Sequence, residues 1–556
     1  MLRLYYLPAQ HDNPRIWLNA LGLHRSWWAC RTTTPTRAEP TNLLQARPIQ
    51  ATLFHLAHDC YTWGMEYETV IGLEVHVQLQ TRSKMFCSCP ADYQTAPVNS
   101  RVCPVCLGLP GTLPVINRKA VEYTIMTGLA LNCQIPAYSK FDRKNYPYPD
   151  LMKGYQISQY DLPLAVNGCL EIDVDGQPKR IGIQRVHLEE DVAKLLHYPS
   201  ADGESYTLVD VNRSGVPLME IVSAPDLHSP EEARAYLMTL HSIVQYLEVS
   251  TASMQEGNFR CDANVSIRPR GSAQHGTRTE VKNMNSFRSV YLALNYEVER
   301  QRRVLEDGGQ VVQETRGWVE ERSVTVPQRS KEYAHDYRYF PEPDLPPLVI
   351  DPAWVEEIRG RLPELALQRR ARLVEQYGIP EYDAALLTSS RPMADYYEAA
   401  VEQKQLTGPA LETFAKNVSN WMLGDLSRLM NLEHLDITEV KVTPAHVVEL
   451  IDLVDAGTLS VTMAKTVLEE AFATGHAPGK IVTEKGYAQI SDTSVVESAV
   501  AQAIEANPKA VEDYLKGKET AARFLVGQVM KITRGQAKPD LVQQLVWEGL
   551  EAAKKA

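Results

Sequence analysis

At 556 residues with 44% hydrophobic residues, the chain is several times the size of one domain and can bury two or three separate cores. A net charge of -12 excludes wholesale coating of nucleic acid and confines any RNA contact to a local patch, and the absence of any apolar run long enough to span a bilayer excludes a membrane helix on sequence grounds. Nine cysteines, several of them clustered at 87–106, suit a reducing compartment with one metal site better than a disulfide framework.

Residues 1–64 contain Arg but no Lys and show neither strand alternation nor a sustained helical period. They lack the basic start, apolar core and small-residue cleavage site of a secretory signal. The expectation is a non-native N-terminal extension from an over-extended start codon, with Met65 as the true beginning; an organellar transit peptide is the alternative.

From Glu68 to Gln80 the alternation is clean. Ile71, Leu73, Val75 and Val77 point one way and Glu74, His76 and Gln78 the other, so Glu74 and His76 share a face. Cys87-x-Cys89 and Cys103-Pro-Val-Cys106 then form a two-plus-two arrangement that can present four thiolates to one tetrahedral zinc ion. Four sulfur ligands leave no open position, which makes this a structural staple; four free thiols are the other reading.

A helix is expected from near Asn117. Residues 140–163, dense in Lys, Arg, Tyr and Pro, read as an ordered functional loop. Asn167-Gly168 and Asp175-Gly176 read as hairpin turns between alternating strands. In the returning strand Arg185, His187 and Glu189 lie on one face, with Glu190 and Asp191 closing it.

The stretch 209–225, VDVNRSGVPLMEIVSAP, holds the centre of the chain. Asn212 to Gly215 interrupt one strand and Pro217 starts another that carries Glu220 among apolar residues. Such a carboxylate either reaches solvent at the strand end or requires a compensating cation, metal or donor. Ser229-Pro230-Glu231-Glu232 reads as a capping box opening a packing helix with Leu237, Leu240, Val244 and Leu247 on its apolar stripe. Residues 259–268 alternate again, with Arg260, Asp262 and Asn264 on the polar side, and Arg278, Glu280 and Lys282 come next on one side of the following run.

These strands repeat one arrangement: an apolar face toward helices and an opposite face of acids, His, Asn and Arg. Such a charged cradle can hold a magnesium–nucleotide complex, because hard cations take carboxylate oxygens and phosphates take Arg or Lys. Neither glycine-rich phosphate loop is present. From Pro352 onward the spacing turns helical, broken at Gly378-Ile379-Pro380, Thr407-Gly408-Pro409 and Thr443-Pro444. In the tail, Lys516, Lys518, Arg523, Lys531, Arg534 and Lys538 face a single acid, Glu519, within 516–538. That is either an RNA-binding patch or a solvated helical face.

ETVIGLEVHVQL, KFDRKNY, RVHLEED, VDVNRSGVPLMEIVSAPD, MQEGNFRCDANVSIRP and DYRYFPEPDLPPL together resemble the GatB family, the B subunits of aspartyl/glutamyl-tRNA amidotransferases, from about Tyr67 to the C-terminus. The resemblance implies an ATP-dependent carbon–nitrogen ligase that phosphorylates the side-chain carboxylate of Glu on tRNA(Gln) or Asp on tRNA(Asn) and converts it to the amide. Ammonia would come from glutamine hydrolysed in a partner, the amidase (A) subunit, with a small third (C) subunit completing a cytoplasmic heterotrimer. It implies a catalytic and magnesium site at Glu74, His76, Glu189, Glu190 and Glu220 with Asp262, nucleotide contacts from Arg260, Asn264 and Glu280, Lys144 near the ammonia outlet, zinc at the four cysteines, and tRNA contacts from the basic tail. Pro147 and Met152 stand where the family usually has an aromatic and a proline, and Ala224 where some members carry an acid.

The expected fold is α+β: an antiparallel-sheet catalytic cradle resembling glutamine synthetase over 66–355, an all-helical domain over 356–486 and a small helical tail domain over 487–556. Two other function classes are kept alongside: a zinc-containing, non-catalytic RNA-binding adaptor, and a small-molecule carboxylate–amine ligase.

Overall fold

The computed structural model describes residues 3–4, 66–199, 205–330, 337–487, 493–533 and 537–555. The expectation for residues 1–64 therefore lies outside the described residues, apart from Arg3 and Leu4. The N-terminal region is mixed sheet and helix, and the C-terminal remainder is largely helical.

Eight strands form the main sheet: β1 (Tyr67–Gln78), β4 (Ala165–Val174), β5 (Gln177–Glu190), β6 (Pro217–Ser223), β7 (Phe259–Pro269), β8 (Thr279–Met284), β9 (Glu314–Val319) and β10 (Val324–Ser330). Their spatial order is β10-β9-β8-β7-β1-β6-β5-β4. All neighbours pair antiparallel except β8 and β9, which are parallel. Two further strands, β2 (Asp142–Asn145) and β3 (Tyr155–Ser158), pair with each other in a separate small sheet.

One face of the main sheet is dry. Leu73, Val75, Val77, Met219, Ile221, Val186 and Leu188 are buried with residues of α1 (Arg118–Ala130), α2 (Pro230–Tyr246) and α3 (Phe287–Glu306) in the first and largest core. The alternation of β1 thus decides which of its side chains meet helices and which are left for chemistry. Each helix starts where its sequence supplies a cap: the Asn117 carboxamide accepts from the N–H groups of Lys119 and Ala120, Ser229 Oγ from Glu232 N–H, and Ser286 Oγ from Ser289 N–H. The expected capping box at Ser229 closes differently. The Glu232 carboxylate accepts from His228 N–H at 2.6 Å and from Lys179 at 2.7 Å, one residue earlier than the reciprocal pattern.

Two further sequence expectations are corrected. Asp175-Gly176 is a hairpin turn, both residues having positive φ, but Asn167-Gly168 lies within β4. There the strand presses on the end of α1: Cys169 N–H donates to Leu131 O at 2.8 Å, and a Cβ on Gly168 would lie 2.5 Å from that oxygen. Glycine serves close approach at this position, not a turn. The segment 140–163, expected to be a loop, contains β2 and β3. Arg143 fixes that hairpin by two 2.7 Å bonds to the buried Glu342 carboxylate, so charge pairing supplies the order that apolar periodicity does not announce.

The hydrophobic cores divide between Leu365, packed on the first, and Leu373, in the second; the third runs from Val496 to Leu550. Ile358 belongs to the first core, so the helix Pro352–Arg359 completes the sheet region before the helical body begins.

Candidate active site and candidate metal centre

Strand register lines up the charged side chains of the solvent-side face. Across the centre, Cα partners run His187 (β5), Glu220 (β6), His76 (β1) and Arg260 (β7). A second row on the same parity runs Arg185, Val222, Glu74 and Asp262, and Asn264 of β7 pairs with Glu280 of β8. Four neighbouring strands thus place acids and imidazoles side by side.

The compensation that Glu220 requires is a pair of histidines. Its Oε2 lies 3.3 Å from His187 Nε2 and 3.5 Å from His76 Nε2, while Glu189 Oε1 lies 3.8 Å from His76 Nε2. Burial disfavours the His76 imidazolium, but Glu220, Glu189 and Asp262 outweigh it and raise its pKa to about 9. Burial likewise opposes the Glu220 carboxylate, yet His187 and His76 hold its pKa well below the ordinary carboxylate value. His76, Glu189 and Glu220 each offer a ligand atom within 4.8 Å of the other two.

The remaining predicted residues ring this group. Asn264 Nδ2 donates to Glu74 Oε1 at 2.9 Å. Lys282 Nζ donates to Asp262 at 2.5 Å and stands 3.5 Å from Glu280, whose other oxygen accepts from the Thr315 hydroxyl. Arg260 donates to Asp191 at 2.9 Å. Lys144 reaches in from β2, its Nζ 5.2 Å from the Tyr337 ring centre; burial opposes its charge, and Glu189, Tyr339 and Glu220 raise its pKa above the ordinary lysine value. Glu190 has a different neighbourhood. It alternates away from Glu189, accepts from Ile157 N–H at 3.0 Å and pairs with Lys153 at 2.6 Å, tying β5 to the β2–β3 hairpin.

Two adjoining cavities of about 370 and 350 Å³ open on this face, and His76, Lys144, Asp262 and Lys282 line both. This volume is within the range of small-molecule sites. His187 Nδ1, Arg260 Nε and Asn264 Oδ1 are buried without a protein partner among the described residues.

Several site residues are not singled out as candidates by the sequence. His187 and Lys282 lie on the expected faces without an assigned role; their parity with Glu189 and Glu280 is the signal that finds them. Asp191 anchors Arg260 and accepts from Gln78 Nε2 at 2.5 Å, a contact between distant strands that no local pattern announces. Tyr337 and Tyr339 line one of the cavities from a segment far along the chain, and Tyr339 stacks on Tyr160 at 4.2 Å between ring centres.

The four cysteines come together. Cys106 Sγ lies 3.4 Å from Cys87, 3.6 Å from Cys103 and 3.7 Å from Cys89, close to the roughly 3.8 Å edge of a tetrahedron with 2.3 Å metal–sulfur bonds. All four sulfurs lie within 4.8 Å of one another, so they form a candidate metal centre that fits zinc by donor set and spacing. Cys87 and Cys106 share a hydrogen bond, and that bond, with further help from Lys84, draws the Cys106 thiol's pKa down against its burial.

In the tail, Lys516 pairs with Glu512 at 2.5 Å and Lys518 with Asp513 at 3.0 Å. Arg523, Lys531 and Lys538 are exposed, and Arg534 lies outside the described residues.

Residues 69–356 match the family model described as the GatB/GatE catalytic domain, and residues 395–550 match that of the GatB domain. The chain is 57% identical over 485 residues to the B subunit of the aspartyl/glutamyl-tRNA(Asn/Gln) amidotransferase of Carboxydothermus hydrogenoformans, covering 87% of this chain and 99% of that protein. The protein of the same name from Caldicellulosiruptor bescii is 56% identical over 490 residues, 88% of this chain and 100% of the relative. That of Dehalococcoides mccartyi strain 195 is 55% identical over 488 residues, 87% and 99%.

Proposed function

We infer the chemistry of this site from one premise: the chain belongs to the GatB family and acts as the catalytic B subunit of an aspartyl/glutamyl-tRNA amidotransferase. In the reading we propose, ATP phosphorylates the side-chain carboxylate of Glu on tRNA(Gln) or Asp on tRNA(Asn) within the cradle. Ammonia then makes the amide, supplied by glutamine hydrolysis in the amidase partner of a heterotrimer that a small third chain completes. The glutamine synthetase-like architecture belongs to the same reading, as do a catalytic region over 66–355, a helical body over 356–486 and a tRNA-binding tail over 487–556.

A carboxylate is a poor electrophile, and an acyl phosphate supplies its leaving group. A carboxylate oxygen attacks the γ-phosphorus, the bond to the bridging oxygen breaks, and ADP leaves. Ammonia then attacks the acyl carbon, the carbon–oxygen bond to phosphate breaks, and phosphate departs with the electron pair as the nitrogen sheds a proton. Both steps demand positioning and neutralisation of charge more than covalent help. The cations on the cavity walls suit that demand, with Arg185, Arg278 and Lys282 in one cavity, Arg260 and Lys282 in the other, and Lys144 over both.

Glu189, Glu220 and His76 would hold Mg²⁺, His76 as the neutral imidazole after giving up its proton, with Glu74 and Asp262 near by; when bound, the ion would neutralise and orient the phosphate oxygens. The donor set fits, because two buried carboxylates and an imidazole offer ligand atoms within 4.8 Å of one another, and the nearest guanidinium, of Arg185, stands at 3.9 Å from the other Glu220 oxygen. Glu220 keeps His76 and His187 oriented, and Asp191 keeps Arg260 aimed across the face. The buried carboxylate–imidazole group beside a cavity ringed by cations is the observation that carries this reading.

The test supplies the assembled complex with Glu-tRNA(Gln) and ammonium chloride in place of glutamine. Gln-tRNA should form only with ATP and Mg²⁺. Amide formation without ATP overturns the proposal.

A further inference from the structure

Lys84 is wholly buried, and among the described residues no other lysine is so completely removed from solvent. An ammonium removed from water needs compensation, and here it comes from sulfur and a carbonyl: Nζ donates to Cys106 Sγ at 3.5 Å and to Arg101 O at 2.7 Å. A divalent ion held by four thiolates carries net negative charge, and a buried cation beside it is the matching countercharge.

The same residue touches the segment that leads to the active site. Its N–H donates to Cys89 O at 2.9 Å, and the next N–H, of Met85, donates to Gly215 O at 2.7 Å. The Lys84 stem lies against Gly215, its Cδ 3.6 Å from where a Cβ there would stand, and Gly215 has φ +82. The other cysteine loop grips the same turn. Arg101 N–H donates to Asn212 Oδ1 at 2.7 Å, and Asn212 Nδ2 to Pro97 O at 2.8 Å. Within the turn, Gly215 N–H donates to Asp191 O at 2.9 Å, and Arg213 binds the carbonyls of Val192 and Ala193, each at 2.9 Å. Two residues beyond Gly215, β6 begins and carries Glu220.

We propose that Lys84 is a positioning residue that couples the four-cysteine metal centre to the turn Asn212–Gly215, and through it to the placement of Glu220 and Asp191. Its ammonium holds charge balance with the metal–thiolate cluster while its backbone and stem brace the turn. Loss of the ion frees the cysteine loops that Lys84 Nζ and its N–H are anchored to, and so loosens the brace. The inference rests on the reading of the cysteine quartet as a zinc site.

The experiment uses the full chain purified with its partner chains, as wild type, Lys84→Met and Lys84→Arg. Zinc release to EDTA is followed with a colorimetric zinc indicator, and amide hydrogen exchange is followed over residues 212–216. Lys84→Met should bind zinc about 10- to 100-fold more weakly, the usual consequence of losing a partner of a metal ligand. Lys84→Arg should recover part of that loss. Exchange at 212–216 should speed up both in Lys84→Met and in chelated wild type, while the tail helices keep their protection. Wild-type zinc affinity and wild-type exchange in Lys84→Met overturn the proposal, as does a wild-type protein that binds no zinc at all. If Lys84→Met does not fold, chelated wild type decides: unchanged protection at 212–216 after zinc removal overturns the coupling.

Discussion

Replacing Glu220 with glutamine tests the cradle at its centre. Glutamine keeps the shape of the side chain but removes the charge that His187 and His76 face at 3.3 and 3.5 Å. It also leaves the proposed metal site with Glu189 as the one buried carboxylate beside His76. Charge stabilisation by such a site is worth several kcal/mol in the transition state, and at about 1.4 kcal/mol per tenfold the expected loss in kcat is about a thousandfold or more. Folding should suffer far less. The His76 pKa is raised from 6.5 to about 9, so its stabilising contribution is fully present below the unfolded value and is lost as the pH rises through the folded one. At neutral pH that contribution is at most about 2 to 3 kcal/mol, and Glu189 and Asp262 retain part of it in the variant. Thermal unfolding of Glu220→Gln should therefore shift by only a few degrees while Gln-tRNA formation collapses. A folded variant within tenfold of wild-type turnover refutes the reasoning, because the carboxylate would then be structural.

Cys103→Ser should abolish stoichiometric zinc and lower the thermal midpoint of the sheet region, measured by metal analysis and calorimetry. Equal zinc content in the variant would remove the quartet from the metal site. Arg143→Lys replaces a bidentate partner of Glu342 with a single point charge; it should cost about 1 to 3 kcal/mol and expose 140–163 to limited proteolysis, and an unchanged digestion pattern would count against this anchor. The combined change Arg523→Ala, Lys531→Ala and Lys538→Ala should weaken tRNA binding and flatten its logarithmic salt slope by about two to three. Binding with the wild-type slope would return the tail patch to a solvated surface. Tyr246→Phe removes a buried 2.8 Å bond to the Thr388 carbonyl, between the sheet region and the helical body; a loss of about 1 kcal/mol is expected in chemical denaturation.

Much of the architecture was legible because its signals are local. Alternation in β1 and β7 told which side chains meet helices, caps at Asn117 and Ser229 marked helix starts, and Gly378, Pro409 and Thr443 punctuated the helical body. Strand parity likewise put Glu74 with His76, and Arg260 with Asp262 and Asn264. Parity cannot say which strands are neighbours, so the pairing of Glu220 with His187 on one side and His76 on the other had to come from the fold. The same limit hid Asp191, whose partners Gln78 and Arg260 lie on other strands. Glu190 adjoins Glu189 in sequence, yet alternation sends it to Lys153 and the hairpin. Asn167-Gly168 has the composition of a turn, but the end of α1 explains its glycine. Where residue chemistry serves a distant neighbour, sequence pattern names the residue and misses the partner.

The central claim is that this site makes an acyl phosphate, and oxygen transfer tests it most directly. Glu-tRNA(Gln) carrying ¹⁸O in the side-chain carboxylate is given to the assembled complex with ATP, Mg²⁺ and glutamine, and the inorganic phosphate is analysed by mass spectrometry. Attack of the carboxylate on the γ-phosphorus predicts one ¹⁸O in the phosphate released for each Gln-tRNA formed. Unlabelled phosphate accompanying full amide formation would mean that ATP is cleaved by water, and the cradle would not be the place where the carboxylate is activated.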